Sequence, residues 1–329
     1  MSTCTKNLAS YAFYALIRHM SPGASSPVTG ESEPVPLHGG FDRFAAITEV
    51  VLAFGLVHVA WQALRYYTVF GKWLAHTNLI PGLTMVTFTF TVMLLSRRSL
   101  AAYGLGTERW SYHLNLGLVC ALTLIAVEAM ALLVISGHMD TRWPPAPHAA
   151  HKFLRFVGLT TAALPAQILV LLLAWKKRGF IERIPTVVTV PAIFALLCVL
   201  PLVAAHFHRP SMWLTALSLF FGSGFGEEIF FRGYIQSRVD QAFGCPFRLL
   251  GWDFGLGLLV SSLLFGLVHV LNTVDYFHGR FVFGWWFGVS TFFGGLFFGC
   301  VRAKTGSVLP GAIVHGMLDA FSRIPSLLR

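Results

Sequence analysis

Six side chains in the last third of the chain have types and spacings suited to acid–base chemistry: Glu227, Glu228, Arg232, His269, His315 and Asp319. The first three stand in Gly226-Glu227-Glu228-Ile229-Phe230-Phe231-Arg232-Gly233. On a helix, residues i and i+4 share a face, and a glutamate on the N-terminal side of the arginine is the better order for an ion pair. Glu228–Arg232 therefore reads as a brace. Glu227, about 100° round the helix, lacks that partner and is the carboxylate left to serve as a general base. Taken alone, the same triplet also fits a helix end capped at a membrane surface. His269 closes Phe265-Gly266-Leu267-Val268-His269 within a run of Leu, Val and Phe, where a single imidazole is as readily a packing residue. His315 and Asp319 in His315-Gly316-Met317-Leu318-Asp319 again fall at i and i+4. A structural hydrogen bond would explain that pair as well.

The elements that must position these groups are membrane helices. Of 329 residues, 55% are hydrophobic and 12% charged, about half the charged share of a soluble domain. Apolar runs of about 20 residues, enough to cross ~30 Å of hydrocarbon, recur at about 44–64, 79–96, 113–136, 153–175, 187–205, 212–237, 253–272, 281–302 and 307–324. The runs are continuous and not alternating, so the expected fold is all-α: a polytopic transmembrane helical bundle of about nine spans, with eight possible. The formal charge of +10 sits in short clusters between runs, such as Arg97-Arg98 and Lys176-Lys177-Arg178. Such clusters are topology signals and lipid contacts, not a nucleic-acid surface. They place the connections after the second, fourth, sixth and eighth spans, and the N-terminus, in the cytoplasm, although Arg65, Lys72, Arg142, Lys152 and Arg155 lie opposite. The division expected is a flexible cytosolic arm over 1–43, N-terminal transmembrane helices of unassigned role over 44–180, and a catalytic transmembrane core over 181–329. Gly222, Gly224 and Gly226, then Gly284, Gly288, Gly295 and Gly299, let helix backbones approach closely in that core. Cys4, Cys120, Cys198, Cys245 and Cys300 are scattered without CxxC spacing and suggest neither a disulfide framework nor a thiolate zinc site.

An ionisable group at mid-bilayer costs about 2.5–3.5 kcal/mol on insertion scales, so the glutamates, histidines and aspartate on three helices are expected to face inward around one polar cavity. At this point the sequence resembles the CPBP group of intramembrane endopeptidases, which includes the type II CAAX-prenyl endopeptidases and Abi-type proteins linked to bacteriocin processing and immunity. The signature EExxxR, FxxxH, HxxxN or HxxxD stands here as Glu227-Glu228 with Arg232, Phe265 with His269, and His315 with Asp319, over roughly 187–324. The resemblance implies that Glu227 and His269 activate a water for attack on a peptide carbonyl while His315 and Asp319 support the oxyanion. Where Asn holds the last position an amide donates directly; Asp319 must be protonated to do so, or must orient His315. The partners implied are a membrane-embedded or lipid-anchored peptide or protein substrate and the bilayer of the inner (plasma) membrane. No cofactor and no resident metal are implied. A zinc site built on the same residues is the mechanistic alternative. A peptide-binding immunity protein on this scaffold and a proton-coupled transporter are the alternatives in function.

No membrane-embedded GxSG, GxGD or HExxH motif occurs. His206 with His208, and His148 with His151, flank spans on the outer side, where solvated interface residues are the simpler reading and a metal site is the alternative. Glu49, His58 and Glu128 lie within spans and are left outside the site.

Overall fold

The computed structural model describes residues 40–74, 77–142, 163–174, 176–206, 211–249 and 252–322. The expected N-terminal arm, the start of the 153–175 run, His148, His151 and His208 lie outside the described residues. In chain order the elements are α1 (Gly40–Tyr67), α2 (Val69–Trp73), α3 (Leu79–Leu95), α4 (Trp110–Arg142), α5 (Ala163–Ala174), α6 (Arg178–Arg183) and α7 (Thr186–His206). The long helix α8 follows as four consecutive stretches, Ser211–Ser218, Leu219–Glu227, Ile229–Gln236 and Ser237–Phe243. A hairpin of β1 (Phe247–Leu249) and β2 (Trp252–Phe254) then leads into α9 (Leu256–Leu271), α10 (Trp285–Thr305) and α11 (Leu309–Phe321).

A helix stands within each of the nine apolar runs, and the chain is a predominantly helical membrane protein. Among the described residues, Asp42–Tyr67, Trp110–Val127 and Trp285–Thr305 are long and apolar enough to cross a bilayer. Others are shorter. The 13 residues of α11 rise only about 20 Å, and residues 310–317 are buried all round. This helix is sheathed by protein and need not match the hydrocarbon thickness.

Two features depart from a bundle of regular helices. The antiparallel hairpin pairs Phe247 with Phe254, Arg248 with Asp253 and Leu249 with Trp252, so the seventh run begins as a strand. Its aromatic residues favour a pleated surface. In α8, Leu219–Glu227 and Ile229–Gln236 wind as π-helix, which is rare beyond single-turn bulges and tends to mark functional sites. Cys245 is disulfide-bonded, whereas Cys120, Cys198 and Cys300 are free thiols. The bond at Cys245 departs from the expectation that the cysteines suggest no disulfide framework.

α8 runs between two apolar clusters. One joins it to α4, α10 and α11 through residues such as Phe220, Phe298, Ile313 and Met317; the other joins it to α1, α3 and α9 through Phe54, Met85, Phe231 and Phe265. Its glycines set the distances. A Cβ on Gly82 of α3 would stand 2.5 Å from the Gly222 Cα, and one on Gly224 would stand 2.5 Å from the Gly316 Cα of α11. No side chain fits at either contact.

Polar contacts fix the neighbours. Glu49 of α1 accepts hydrogen bonds from Arg98 at 2.5 and 3.0 Å, from the Tyr234 hydroxyl at 2.7 Å and from Arg238 Nε at 2.8 Å. This carboxylate, left unassigned by the sequence, ties α1 and the end of α3 to α8. The Gly257 N–H donates to Asp240 Oδ1 at 2.8 Å, joining the end of α8 to the start of α9. Between α10 and α11 the chain turns through Gly306, whose φ of 74° is the left-handed C-terminal stop for which glycine is suited.

Candidate active site

The innermost pair is the brace. Glu228 and Arg232 are both fully buried, and Arg232 Nη1 donates to Glu228 Oε1 at 2.9 Å. The π winding keeps the i, i+4 partners in contact. Arg232 Nη2 donates to the Gly295 carbonyl of α10 at 3.2 Å, and the guanidinium lies 4.2 Å from the Phe265 ring centroid and 5.3 Å from that of Phe298. A buried cation needs this combination of carboxylate, carbonyl and aromatic faces.

The same carboxylate oxygen reaches α11. His315 Nδ1 donates to Glu228 Oε1 at 3.0 Å, and its ring is stacked on Phe298 at 4.9 Å and edged by Phe265 at 5.6 Å. On α9, His269 Nδ1 donates to the Phe265 carbonyl at 2.7 Å, and its ring meets Phe265 and Phe287 edge-on. With Nδ1 of each ring holding the proton of a hydrogen bond, the neutral imidazole carries its lone pair on Nε2.

Both Nε2 atoms turn to Glu227. Its Oε2 lies 3.9 Å from His269 Nε2 and 3.8 Å from His315 Nε2. These separations exceed hydrogen-bond length. Polar groups at such a separation are where a bridging water is to be sought. Glu227 Oε2 is buried and has no hydrogen-bond partner among the described residues. Asp319 stands at the rim, its Oδ2 3.6 Å from His315 Nε2 and its side chain 36% exposed. The fold thus gathers five of the six expected residues into one buried group drawn from α8, α9 and α11, with the sixth at its edge.

Glu49 is held in the ion network described above. His58 is 5% exposed, ringed by Phe54, Trp61 and Tyr276. The side chains of Glu128 and His206 lie outside the described residues. Sequence reasoning missed the Gly295 carbonyl, Phe298 and Phe287, since backbone acceptors and aromatic walls have no motif. It also missed a cavity of about 200 Å³ that Glu227 shares with Trp61 and Arg65 of α1, Asn78, Met85 and Asn272. Nothing in the spacing of α1 connects it to a glutamate more than 160 residues later.

Residues 209–321 match the family described as Type II CAAX prenyl endopeptidase Rce1-like. No curated protein and no solved structure matches the chain. The matched segment contains Glu227, Glu228, Arg232, His269, His315 and Asp319 and all of α8 to α11. The resemblance drawn from EExxxR, FxxxH and HxxxD is to this same kind of endopeptidase.

Proposed function

We propose that this protein is an intramembrane endopeptidase that hydrolyses a peptide bond in a lipid-anchored, prenylated substrate, with Glu227 as the general base. The observation that carries the reading is the convergence of Glu227 Oε2 with the Nε2 atoms of His269 and His315 in a buried site. A water held between Glu227 and His269 gives its proton to Glu227 as its oxygen attacks the scissile carbonyl. The carbonyl π electrons move to oxygen, and the resulting oxyanion accepts a hydrogen bond from His315, in the state that carries a proton on Nε2. Collapse expels the amine, which takes the proton from Glu227. Asp319 orients His315. A positioned base contributes ~10²–10⁴ in rate and an oxyanion donor ~10²–10³.

The scaffold is nine-spanning in this reading. Residues 44–180 form a supporting half and 181–329 the catalytic half, in the inner (plasma) membrane, with the loop at Lys176 to Arg178 cytosolic. The direct test uses purified protein and a prenylated peptide: Glu227→Gln keeps volume and most hydrogen bonding, so it folds, binds the peptide and does not cleave it. Cleavage at the wild-type rate by Glu227→Gln would refute the assignment.

A zinc reading has one observation of its own. Both imidazoles donate Nδ1–H to a second acceptor, the pattern of metal-ligating histidines, and Glu227, His269 and His315 are the donors of a His₂Glu site. Bound there, zinc would supply Lewis-acid activation of water. Activity that survives exhaustive chelation supports the glutamate reading; activity lost on chelation and restored by zinc supports the other.

A further inference from the structure

The cavity beside Glu227 has one wall outside the family-matched segment. Trp61 and Arg65, one turn apart on α1, line it together with Asn78 before α3, Asn272 after α9, and Glu227. At about 200 Å³ it is smaller than the ~300–1,000 Å³ of sites that enclose a whole small molecule. It has the size for the end of a chain. Two of its lining residues differ in exposure: Glu227 is buried and Arg65 is partly exposed. Arg65 makes no ion pair or hydrogen bond with the described residues, and its only charged-group contact is with the Tyr66 ring at 6.0 Å. Trp61 is 4% exposed, yet its indole N–H has no hydrogen-bond partner among the described residues. A buried donor with no partner among the described residues asks for an explanation, and here it borders the same space as a cation that has no anionic partner among them.

We infer that Arg65 is a specificity-determining residue that receives the α-carboxylate of the bound peptide, with Trp61 forming the wall beside it. This rests on the endopeptidase reading of the Glu227 site. A peptide substrate brings one anion whatever its sequence, its C-terminal carboxylate, and guanidinium matches a carboxylate bidentately. Arg65 lies about 6 Å further along α1 than Trp61, and an extended residue spans ~3.3–3.6 Å. Arg65 and Glu227 line one cavity of about 200 Å³, so a carboxylate held at Arg65 leaves room for only a short stretch of chain before Glu227. The helix α1, beyond the matched segment, sets how far from the end the cut is made.

The test compares a prenylated peptide as free acid, as C-terminal amide, and as an amide carrying a penultimate glutamate. Binding is measured to Glu227→Gln protein, and to the same protein with Arg65→Gln or Arg65→Lys. The acid should bind about 10–100-fold more tightly than the plain amide, the loss expected for a charge-assisted contact. Arg65→Gln should abolish that preference and Arg65→Lys should keep part of it. Equal binding of acid and amide, an acid preference that survives Arg65→Gln, or rescue by the penultimate glutamate would each overturn the inference. Cleavage is read separately with Glu227 present. Acid-selective binding without cleavage would retain the role of Arg65 and sink the protease reading; cleavage indifferent to the carboxylate and to Arg65 would do the reverse.

Discussion

Replacing Arg232 by methionine removes the charge while nearly preserving volume, so little of the effect is a cavity. Arg232 and Glu228 are fully buried, and the substitution deletes the 2.9 Å contact to Glu228 and the 3.2 Å contact to the Gly295 carbonyl. A buried carboxylate stripped of its partner costs about 3–5 kcal/mol, and the orphaned carbonyl adds about 1–3 kcal/mol. Against this, the aromatic faces of Phe265 and Phe298, which held the cation at 4.2 and 5.3 Å, accept a thioether well. The expected net loss is about 3–5 kcal/mol. The second arm of the experiment is Glu228→Gln with Arg232→Met. Glutamine still accepts from His315 Nδ1 and carries no charge to strand, so most of the loss should return. Chemical unfolding in detergent micelles, followed by circular dichroism and by limited proteolysis, measures both variants. If Arg232→Met lies within about 1 kcal/mol of wild type, or the double variant is no more stable than the single, the pair is not the desolvated brace argued above.

Three further outcomes are expected. Gly224→Ala should cost roughly 1–3 kcal/mol or more by overpacking, because its Cβ meets the Gly316 backbone, whereas Gly55→Ala, with nothing within 4 Å, should be neutral or stabilising; thermal unfolding of the two separates them. Glu49→Gln should lower stability while leaving kcat of the folded fraction within a few-fold of wild type, since its partners Arg98, Tyr234 and Arg238 lie outside the site; a kcat loss of about 10² would place it in the chemistry. Asp319→Asn should retain activity within about tenfold, because an amide can orient His315 or donate directly, and Asp319→Ala should lose about 10² in kcat/KM; equal activities would remove Asp319 from the site.

The apolar runs were legible because the bilayer demands continuous hydrophobicity, and a helix lies in each of them. The polar residues of α8, α9 and α11 were legible because ionisable groups among apolar neighbours must find one another. Glu49 obeyed the same rule but met arginines at the helix ends, and sequence has no means of telling a brace from a site. The winding of α8 was not readable, since a π register carries no residue spacing that separates it from an α-helix. Trp61 and Arg65 were missed for a related reason: which face of α1 meets the cavity is decided by packing against α3 and α9. The hairpin before α9 was hidden because its aromatic residues read equally well as the start of an apolar run.

The glycine contacts of α8 also bear on mechanics. A helix packed backbone to backbone on both flanks, at Gly82 and at Gly316, has little room to rotate or slide toward either neighbour. Glu227 is therefore carried on the stator of the machine. Whatever opens to admit the proposed lipid-anchored substrate is to be sought in the periphery, where contacts are made by deformable side chains. There Phe287, 57% exposed, leans on His269 from α10, and α1 meets the cavity through Trp61 and Arg65. Substrate entry and catalytic alignment thus fall to different parts of the molecule, and a substitution that loosens the one need not disturb the other.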